Sequence, residues 1–295
     1  MGLRLVRRLR DRRIPVLVVG LPDEASRHRV EALGATYRGT DILDAKALRE
    51  DFRDVDGVVH LAARILSRRD PRMLHRINVE GTANVLAASR AAGAGRFVHV
   101  SSISVTYRNQ NDYSRSKAAG ESLVRESGLD WTILRPTLAW GDASASEYAS
   151  FARMVARAPV LPLPRGGRAS KSPVHVDDLA SAFETALFSE DSAGRTLDLP
   201  GPERITLARM ARRIRSARGA RGLTVPVPPR LLAWALLAHA RLWRSMGMDP
   251  WADWQTWTGL VEDACPDPSA AISVLGWNPR SFDPAQDGLS QGIVP

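Results

Sequence analysis

Phe97-Val98-His99-Val100-Ser101-Ser102-Ile103-Ser104-Val105-Thr106, then a short polar link, then Tyr113-Ser114-Arg115-Ser116-Lys117, is the stretch around which the chain is organised. Phe97, Val98 and Val100 are strand formers with no charge among them, which predicts a buried strand running out into the hydroxyls of Ser101 and Ser102. The second half opens a helix, with Asp112 able to cap it and Ala118, Ala119, Glu121 and Leu123 continuing it. On a helix Tyr113 and Lys117 lie four residues apart and share a face. A serine hydroxyl, a phenol and an ammonium therefore converge at the end of one strand.

That trio has a chemical use. A free phenol titrates near ~10, too high for a base at neutral pH. A nearby ammonium favours the phenolate and lowers that value. A serine can hold a substrate oxygen while the tyrosine moves a proton. Tyr-x-x-x-Lys by itself also occurs on ordinary surface helices. Composition argues against that here, because the lysines are three, Lys46, Lys117 and Lys171, and the other 38 basic residues are arginine. A chain that almost always uses arginine has a compact ammonium at this position.

Composition bounds the rest. A chain of 295 residues has room for one large α/β domain or a domain plus a small lobe. The single cysteine, Cys265, leaves no intramolecular disulfide and no cysteine-rich metal site, and fits a reducing, cytoplasmic setting. Met1 to Arg13 is basic, but no apolar core follows it, so no signal peptide is read. The longest apolar run, Leu231 to Ala238, is too short to span a bilayer. Net charge is +9 and the pI about 10.6, yet the arginines are scattered along the chain, which speaks for a solvated cationic surface rather than a nucleic-acid site. A basic cleft would suit a diphosphate-bearing substrate. No metal-ligand cluster, Gly-x-Ser-x-Gly or Walker-type loop occurs.

Outward from the central stretch, strands are expected at Ile14–Val19, Ala35–Arg38, Gly57–Ala62 and Trp131–Leu134, alternating with helices that include a long one over Pro71–Ala92. Such alternation predicts a parallel, doubly wound α/β sheet. Beyond Gly201 the pattern loosens. Thr206–Ala217 and Leu231–Trp243 read as helices, and Pro226–Pro229 as a linker. Trp251, Trp254 and Trp257 would lie along one helical stripe, as core packing or as an aromatic wall for a substrate ring.

With Ser102, Tyr113 and Lys117 in place, the chain resembles the extended short-chain dehydrogenase/reductase superfamily of the NAD-dependent epimerase/dehydratase type. Further stretches carry the same resemblance in the family's order. They are Gly39-Thr40-Asp41, His60-Leu61-Ala62-Ala63, Asn78 to Val85, Leu134-Arg135-Pro136-Thr137, Pro173 to Asp178 and Leu275 to Arg280. The resemblance implies a Rossmann-type fold and catalysis by Ser102, Tyr113 and Lys117. It implies NAD or NADP held by Gly2, Asp41, Ile42, Leu61, Ala62, Ala63, Asn78, Ser101, Tyr113, Lys117, Pro136 and Thr137. Residues 1–141 with 169–200 would form the cofactor domain, and 142–168 with 201–295 a smaller substrate lobe. The implied activity is an epimerase, dehydratase or reductase, acting on a nucleotide-linked sugar, in a possible homodimer. An apolar or steroid-like alcohol is the other substrate class, and a non-catalytic nucleotide-binding protein a third reading. His60 and His175 also read as structural histidines, Asp41 as a turn residue and Asn78 as an ordinary helix residue.

The chain departs from the family at its start. No Gly-x-x-Gly-x-x-Gly loop is present, Gly2 falling on its third glycine. The missing strand belongs in the middle of the sheet, between the Ile14 and Gly57 strands. The expectation is a polypeptide that begins upstream, with about thirty more residues or fewer, including one strand of ~5–6 residues and two glycines. The end of the Ile14 strand, Gly20-Leu21-Pro22-Asp23, offers neither a clear acid for NAD nor a base for NADP, while Arg27 and Arg29 keep NADP open. Thr106 replaces the aromatic residue common after the family's serine pair.

Overall fold

The structure is a computed structural model that describes residues 1–65, 72–141, 147–246 and 254–288. The chain opens with α1 (Gly2–Asp11), β1 (Leu17–Gly20), α2 (Glu24–Glu31), β2 (Thr36–Gly39), α3 (Ala45–Asp51) and β3 (Gly57–His60). α4 (Arg72–His75), a π-helical turn over Arg76–Gly81, and α5 (Thr82–Ala91) follow. Next come β4 (Arg96–Val100), α6 (Asp112–Arg125), β5 (Trp131–Pro136), β6 (Ala139–Trp140), α7 (Glu147–Arg157), β7 (Val160–Pro164), β8 (Ser170–Lys171) and β9 (Val174–His175). The chain continues through α8 (Val176–Phe188), β10 (Arg195–Leu199), β11 (Ile205–Thr206), α9 (Leu207–Ala217), β12 (Leu223–Val227), α10 (Pro229–Ser245), α11 (Trp254–Val261) and α12 (Ser269–Leu275).

The central sheet has the order β10-β5-β4-β3, and every pairing in it is parallel. Helices cross over between successive strands, which is the expected doubly wound arrangement. β1 and β2 pair with each other in a separate two-stranded sheet, and among the described residues no strand joins β1 to β3. The long helix expected over Pro71–Ala92 is interrupted at its middle by the π-helical turn, where one extra residue per turn re-aims the side chains.

Strand alternation decides the two faces of the sheet. Val98, Val100 and Leu134 pack with Leu5 and Leu9 of α1, Leu179 and Phe183 of α8, and Ala271 of α12. Phe97 and Ile133 point the other way, against Leu48 of α3, Val85 and Leu86 of α5, and Val124 of α6. His99 and Ser101 follow Phe97 in this period, so two polar side chains face α5 and α6. α1 is tied to α8 by Arg8 and Arg12, which reach Glu184 at 2.6 and 3.0 Å, and by an Arg4–Asp177 pair.

A third apolar cluster joins Trp140, Tyr148, Leu161, Leu163, Met210, Ile214 and Phe282. It is built chiefly from α7, α9 and β7, and β12 pairs with β7 in parallel at its edge. Pro226, expected in a linker, lies inside β12, and Pro229 opens α10, where its fixed φ suits the first turn. Trp277 and α12 pack with the sheet instead, the indole Nε1 donating to Pro200 O at 2.9 Å. The tryptophan stripe expected at 251, 254 and 257 lies outside the described side chains.

Candidate active site

β4 delivers Ser101 and Ser102 to the carboxyl edge of the sheet. Ser101 N donates to Leu134 O at 2.7 Å, extending the pairing with β5 by one residue. Ser102 leaves the strand in an extended conformation, and its hydroxyl accepts from Ser104 N at 3.2 Å, capping a 3-10 turn over Ile103–Thr106. α6 then starts at Asp112, but its cap is Asn111, whose Oδ1 accepts from Ser114 N at 2.9 Å. Asp112 is already in the first turn and pairs with Arg115, so it is not free to cap.

Tyr113 is partly buried at the head of α6. Burial pushes its phenol up to about 12; the Ser102 hydroxyl works against this, and the carboxylate of Glu147 adds to it. Lys117, one turn further on, is 1% exposed. Its Nζ donates to Val100 O at 2.8 Å and lies 3.4 Å from His99 Nε2. The ammonium is thus directed into the sheet, and the expected lowering of the phenol by Lys117 is not what this geometry produces. Burial lowers Lys117 itself to about 8, partly opposed by Glu121.

The surroundings of Lys117 are polar and closed. His99 is fully buried and held neutral by burial, with the Lys117 charge adding. Burial, with the same charge adding, takes His60 to about 3. A neutral His99 facing an ammonium must accept at Nε2, so its proton belongs on Nδ1, an atom with no hydrogen-bond partner. Thr82 Oγ1 donates to Asn78 O at 2.8 Å and so must accept from His60 Nε2 at 3.0 Å. Gly120 makes this approach possible: a Cβ there would stand 3.0 Å from Asn78 O and 3.7 Å from His99 Nε2. Glu121 receives Arg135 at 2.8 and 2.6 Å and Arg125 at 2.6 Å. Burial would raise its carboxyl, but the hydrogen bonds from Arg135, with Ser101 and Arg125 contributing, hold it below the usual range.

Asn78 is a clamp. Its Oδ1 accepts from Arg64 N at 2.7 Å, and its Nδ2 donates to Arg64 O and to Ser116 Oγ, both at 2.9 Å. The segment after β3, with Leu61, Ala62 and Ala63, is thereby fastened to α6. Gly2 stands against Leu61, a Cβ on it lying 3.7 Å from Leu61 Cδ1. Asp41 lies apart at the end of β2, exposed, its Oδ1 accepting from Leu43 N in a turn. Ile42 beside it is buried against Gly81, and its carbonyl accepts from Asn84 Nδ2 at 3.0 Å. Pro136 ends β5; the Thr137 hydroxyl is already engaged, donating to Ser172 O. His175 caps α8, its Nδ1 accepting from Asp177 N at 3.2 Å, and its ring lies edge-on to Trp140.

On the lobe side, Glu147 opens α7 and acts electrostatically on Tyr113, Tyr107 and Lys171 together. Lys171 is buried, with Nζ donating to Glu262 O at 2.8 Å and standing 5.6 Å from the centroid of the Tyr107 ring. Burial lowers this lysine, as it does Lys117. None of His99, Glu121, Glu147 or Lys171 was singled out in the motif reading. Strand alternation placed His99 and lysine scarcity marked Lys171, whereas nothing local marks Glu121 or Glu147.

The residues present fit a nicotinamide dinucleotide at the reactive end. The exposed Ala62 and Ala63, the clamp at Asn78 and the Ser102–Tyr113 pair lie at one sheet edge, with Lys117 buried behind them. The N-terminus of α1, with glycine as its first residue, abuts the same loop and can receive phosphate on backbone N–H groups.

Residues 1–199 match the model of the NAD dependent epimerase/dehydratase family. The chain belongs to that family. Among curated relatives, mouse NADH dehydrogenase [ubiquinone] 1 alpha subcomplex subunit 9 is 25% identical over 254 residues, 84% of this chain and 64% of its own length. The chain spans less than two thirds of that protein. The UDP-glucose 4-epimerase of Vibrio cholerae is 26% identical over 284 residues, covering 88% of this chain and 82% of the epimerase. Among solved structures, the UDP-glucose 4-epimerase of Thermotoga maritima superposes with a TM-score of 0.75 at 20% identity, over 98% of this chain and 93% of that one. The last similarity speaks to the family's Rossmann-type fold. No described helix is long and apolar enough to cross a membrane.

Proposed function

We propose that the protein is an NAD(P)-dependent epimerase, dehydratase or reductase acting on a nucleotide-linked sugar, with Ser102, Tyr113 and Lys117 as its catalytic group. The observation that carries this reading is the partly buried Tyr113 phenol with the Ser102 hydroxyl beside it and Lys117 one helical turn on. Membership of the family and the similarity to a curated UDP-glucose 4-epimerase support the cofactor and the substrate class.

The nicotinamide ring, when bound, supplies the acceptor or donor of a hydride. Ser102 at the sheet edge orients the substrate oxygen. Tyr113 Oη moves the proton on that oxygen, giving it to a forming alkoxide or taking it from an alcohol. A phenol raised to about 12 is protonated in the resting protein, which sets the site first as an acid. Lys117 keeps a positive charge beneath the site, held by Val100 O, and would hold a ribose hydroxyl. Asn78 keeps the Leu61–Ala63 loop in place against α6.

The test is a panel of UDP-sugars and apolar ketones, each with NAD(H) and NADP(H), followed by nicotinamide absorbance and by product analysis for redox-neutral epimerisation. Turnover of a UDP-sugar that disappears in Tyr113→Phe is expected. Turnover confined to apolar ketones would refute the substrate class, and dinucleotide binding with no turnover of any kind would refute the enzymatic reading.

A further inference from the structure

From Arg204 to Met248 the chain carries ten arginines and no aspartate or glutamate. α10 lies in this acid-free stretch. Its inner side is thin, with Leu236 buried against Leu232, Ala233 and Val261. Its outer side is not polar. Trp234 is 75% exposed, Leu231 63%, Leu242 59% and Leu237 47%. At 100° per residue, Leu231, Trp234, Ala235, Ala238 and Leu242 fall on one arc of about 100°. Arg230 and Arg241 border that arc, exposed and forming no ion pair among the described residues. A surface helix normally turns charge outward; an exposed apolar arc this wide marks a face that something covers.

We infer that α10 is a membrane-surface helix, which lays Leu231, Trp234 and Leu242 into the headgroup–acyl boundary of an anionic bilayer while Arg230 and Arg241 meet the lipid phosphates. The chemistry on both sides agrees: large apolar and indole side chains on one arc, guanidinium groups at its border, and no acidic residue within the helix. A second copy of this chain suits the face poorly. An isologous contact would bring the arginines of one protomer near those of the other, with no acidic residue in 204–248 to pair with them. The helix lies on the bilayer and does not cross it, in keeping with its 17 residues and two exposed arginines. This inference is independent of the catalytic reading and is tested without turnover.

The experiment is flotation of the full chain with vesicles of equal parts phosphatidylglycerol and phosphatidylcholine, against phosphatidylcholine alone. Binding to the anionic vesicles is expected, weakening as salt is raised from about 0.1 M to about 0.5 M. Leu231→Glu with Trp234→Glu should weaken partition about a hundredfold or more, because two large apolar side chains no longer enter the boundary. Arg230→Gln with Arg241→Gln should weaken it roughly thirtyfold. Both pairs are exposed, and circular dichroism checks that each variant keeps its fold. Failure to float with anionic vesicles, equal flotation with phosphatidylcholine, or anionic binding unaffected by either pair would overturn the inference. Sedimentation velocity showing a dimer that Leu231→Glu/Trp234→Glu converts to monomer, with no vesicle binding, would assign the face to a second copy and overturn it equally.

Discussion

Replacing Lys117 by methionine should remove activity and leave the fold as stable or more stable. Lys117 is 1% exposed, and burial takes it from its ordinary 10.5 to about 8. A drop of that size corresponds to about 3 kcal/mol, at 1.36 kcal/mol per pH unit, by which the folded state disfavours the charged amine. The sign follows from proton binding. Between about 8 and 10.5 the unfolded chain binds a proton at this lysine that the folded chain has released, so stability rises with pH across that window. Below about 8 the full penalty is present. Against it stands the bond from Nζ to Val100 O, a charged hydrogen bond of about 1.5–3 kcal/mol. Methionine nearly matches the lysine stem in volume and loses both terms, so the net change is between zero and about 2 kcal/mol of added stability. Lys117→Arg should go the other way, losing about 1–3 kcal/mol because a larger planar group is forced into a closed site. Urea unfolding of all three proteins at pH 7 and pH 10 measures this. The wild type should gain about 2.5 kcal/mol relative to Lys117→Met between pH 7 and pH 10, enough to cancel or reverse the advantage of methionine. A methionine variant more than about 2 kcal/mol less stable at pH 7, or a difference that does not change with pH, would show that the ammonium stabilises the fold and that the argument from burial is wrong.

Tyr113→Phe should lower turnover by about 10²–10⁴-fold with an unfolding midpoint near that of wild type, since one hydroxyl of a partly exposed residue is lost; steady-state kinetics beside a thermal melt decides it. His99→Leu removes the neutral acceptor 3.4 Å from Lys117 Nζ, so the ammonium should titrate about one pH unit lower, seen as an alkaline limb of the pH–rate profile moving to lower pH. Asn78→Ala breaks three hydrogen bonds of the loop clamp and should cost about 1–3 kcal/mol while raising the Kd for the dinucleotide, measured by urea unfolding and calorimetric titration. Asp287→Ala leaves the guanidinium of Arg218, 5% exposed and 2.6 Å from the lost carboxylate, buried without its partner; a loss of about 3–5 kcal/mol is expected in the same urea assay.

The alternation of strand and helix was legible because it rests on local periodicity. Phe97-Val98-His99-Val100 reads as a strand from its own residues, and Tyr113 and Lys117 share a helix face because four residues make about one turn. The hydroxyls of Ser101 and Ser102 at the strand end follow from the same count. Boundaries moved by a few residues where capping was local but ambiguous: Asn111 and Asp112 are both good caps, and only the backbone decides between them. Pro226 read as a linker because proline is rare in strands, yet β7 and β12 form a two-stranded pair in which both strands are edges, where its missing N–H is tolerated.

What the chain alone determined, then, is the parallel α/β order and the presence of a serine, a tyrosine and a lysine at one strand end, for these depend on spacings of two and four residues. The tertiary structure decided what those groups are chemically. Burial raises the Tyr113 phenol to about 12 and lowers Lys117 to about 8. The approach of α6 at Gly120 brings Lys117 to His99 and Val100, and Asn78 reaches Arg64 and Ser116. The separation of the β1–β2 pair from the central sheet is equally a fact of strand pairing between distant segments. Proton affinity and hydrogen-bond partnership depend on which distant atoms exclude water from a group, and sequence spacing carries no record of that distance.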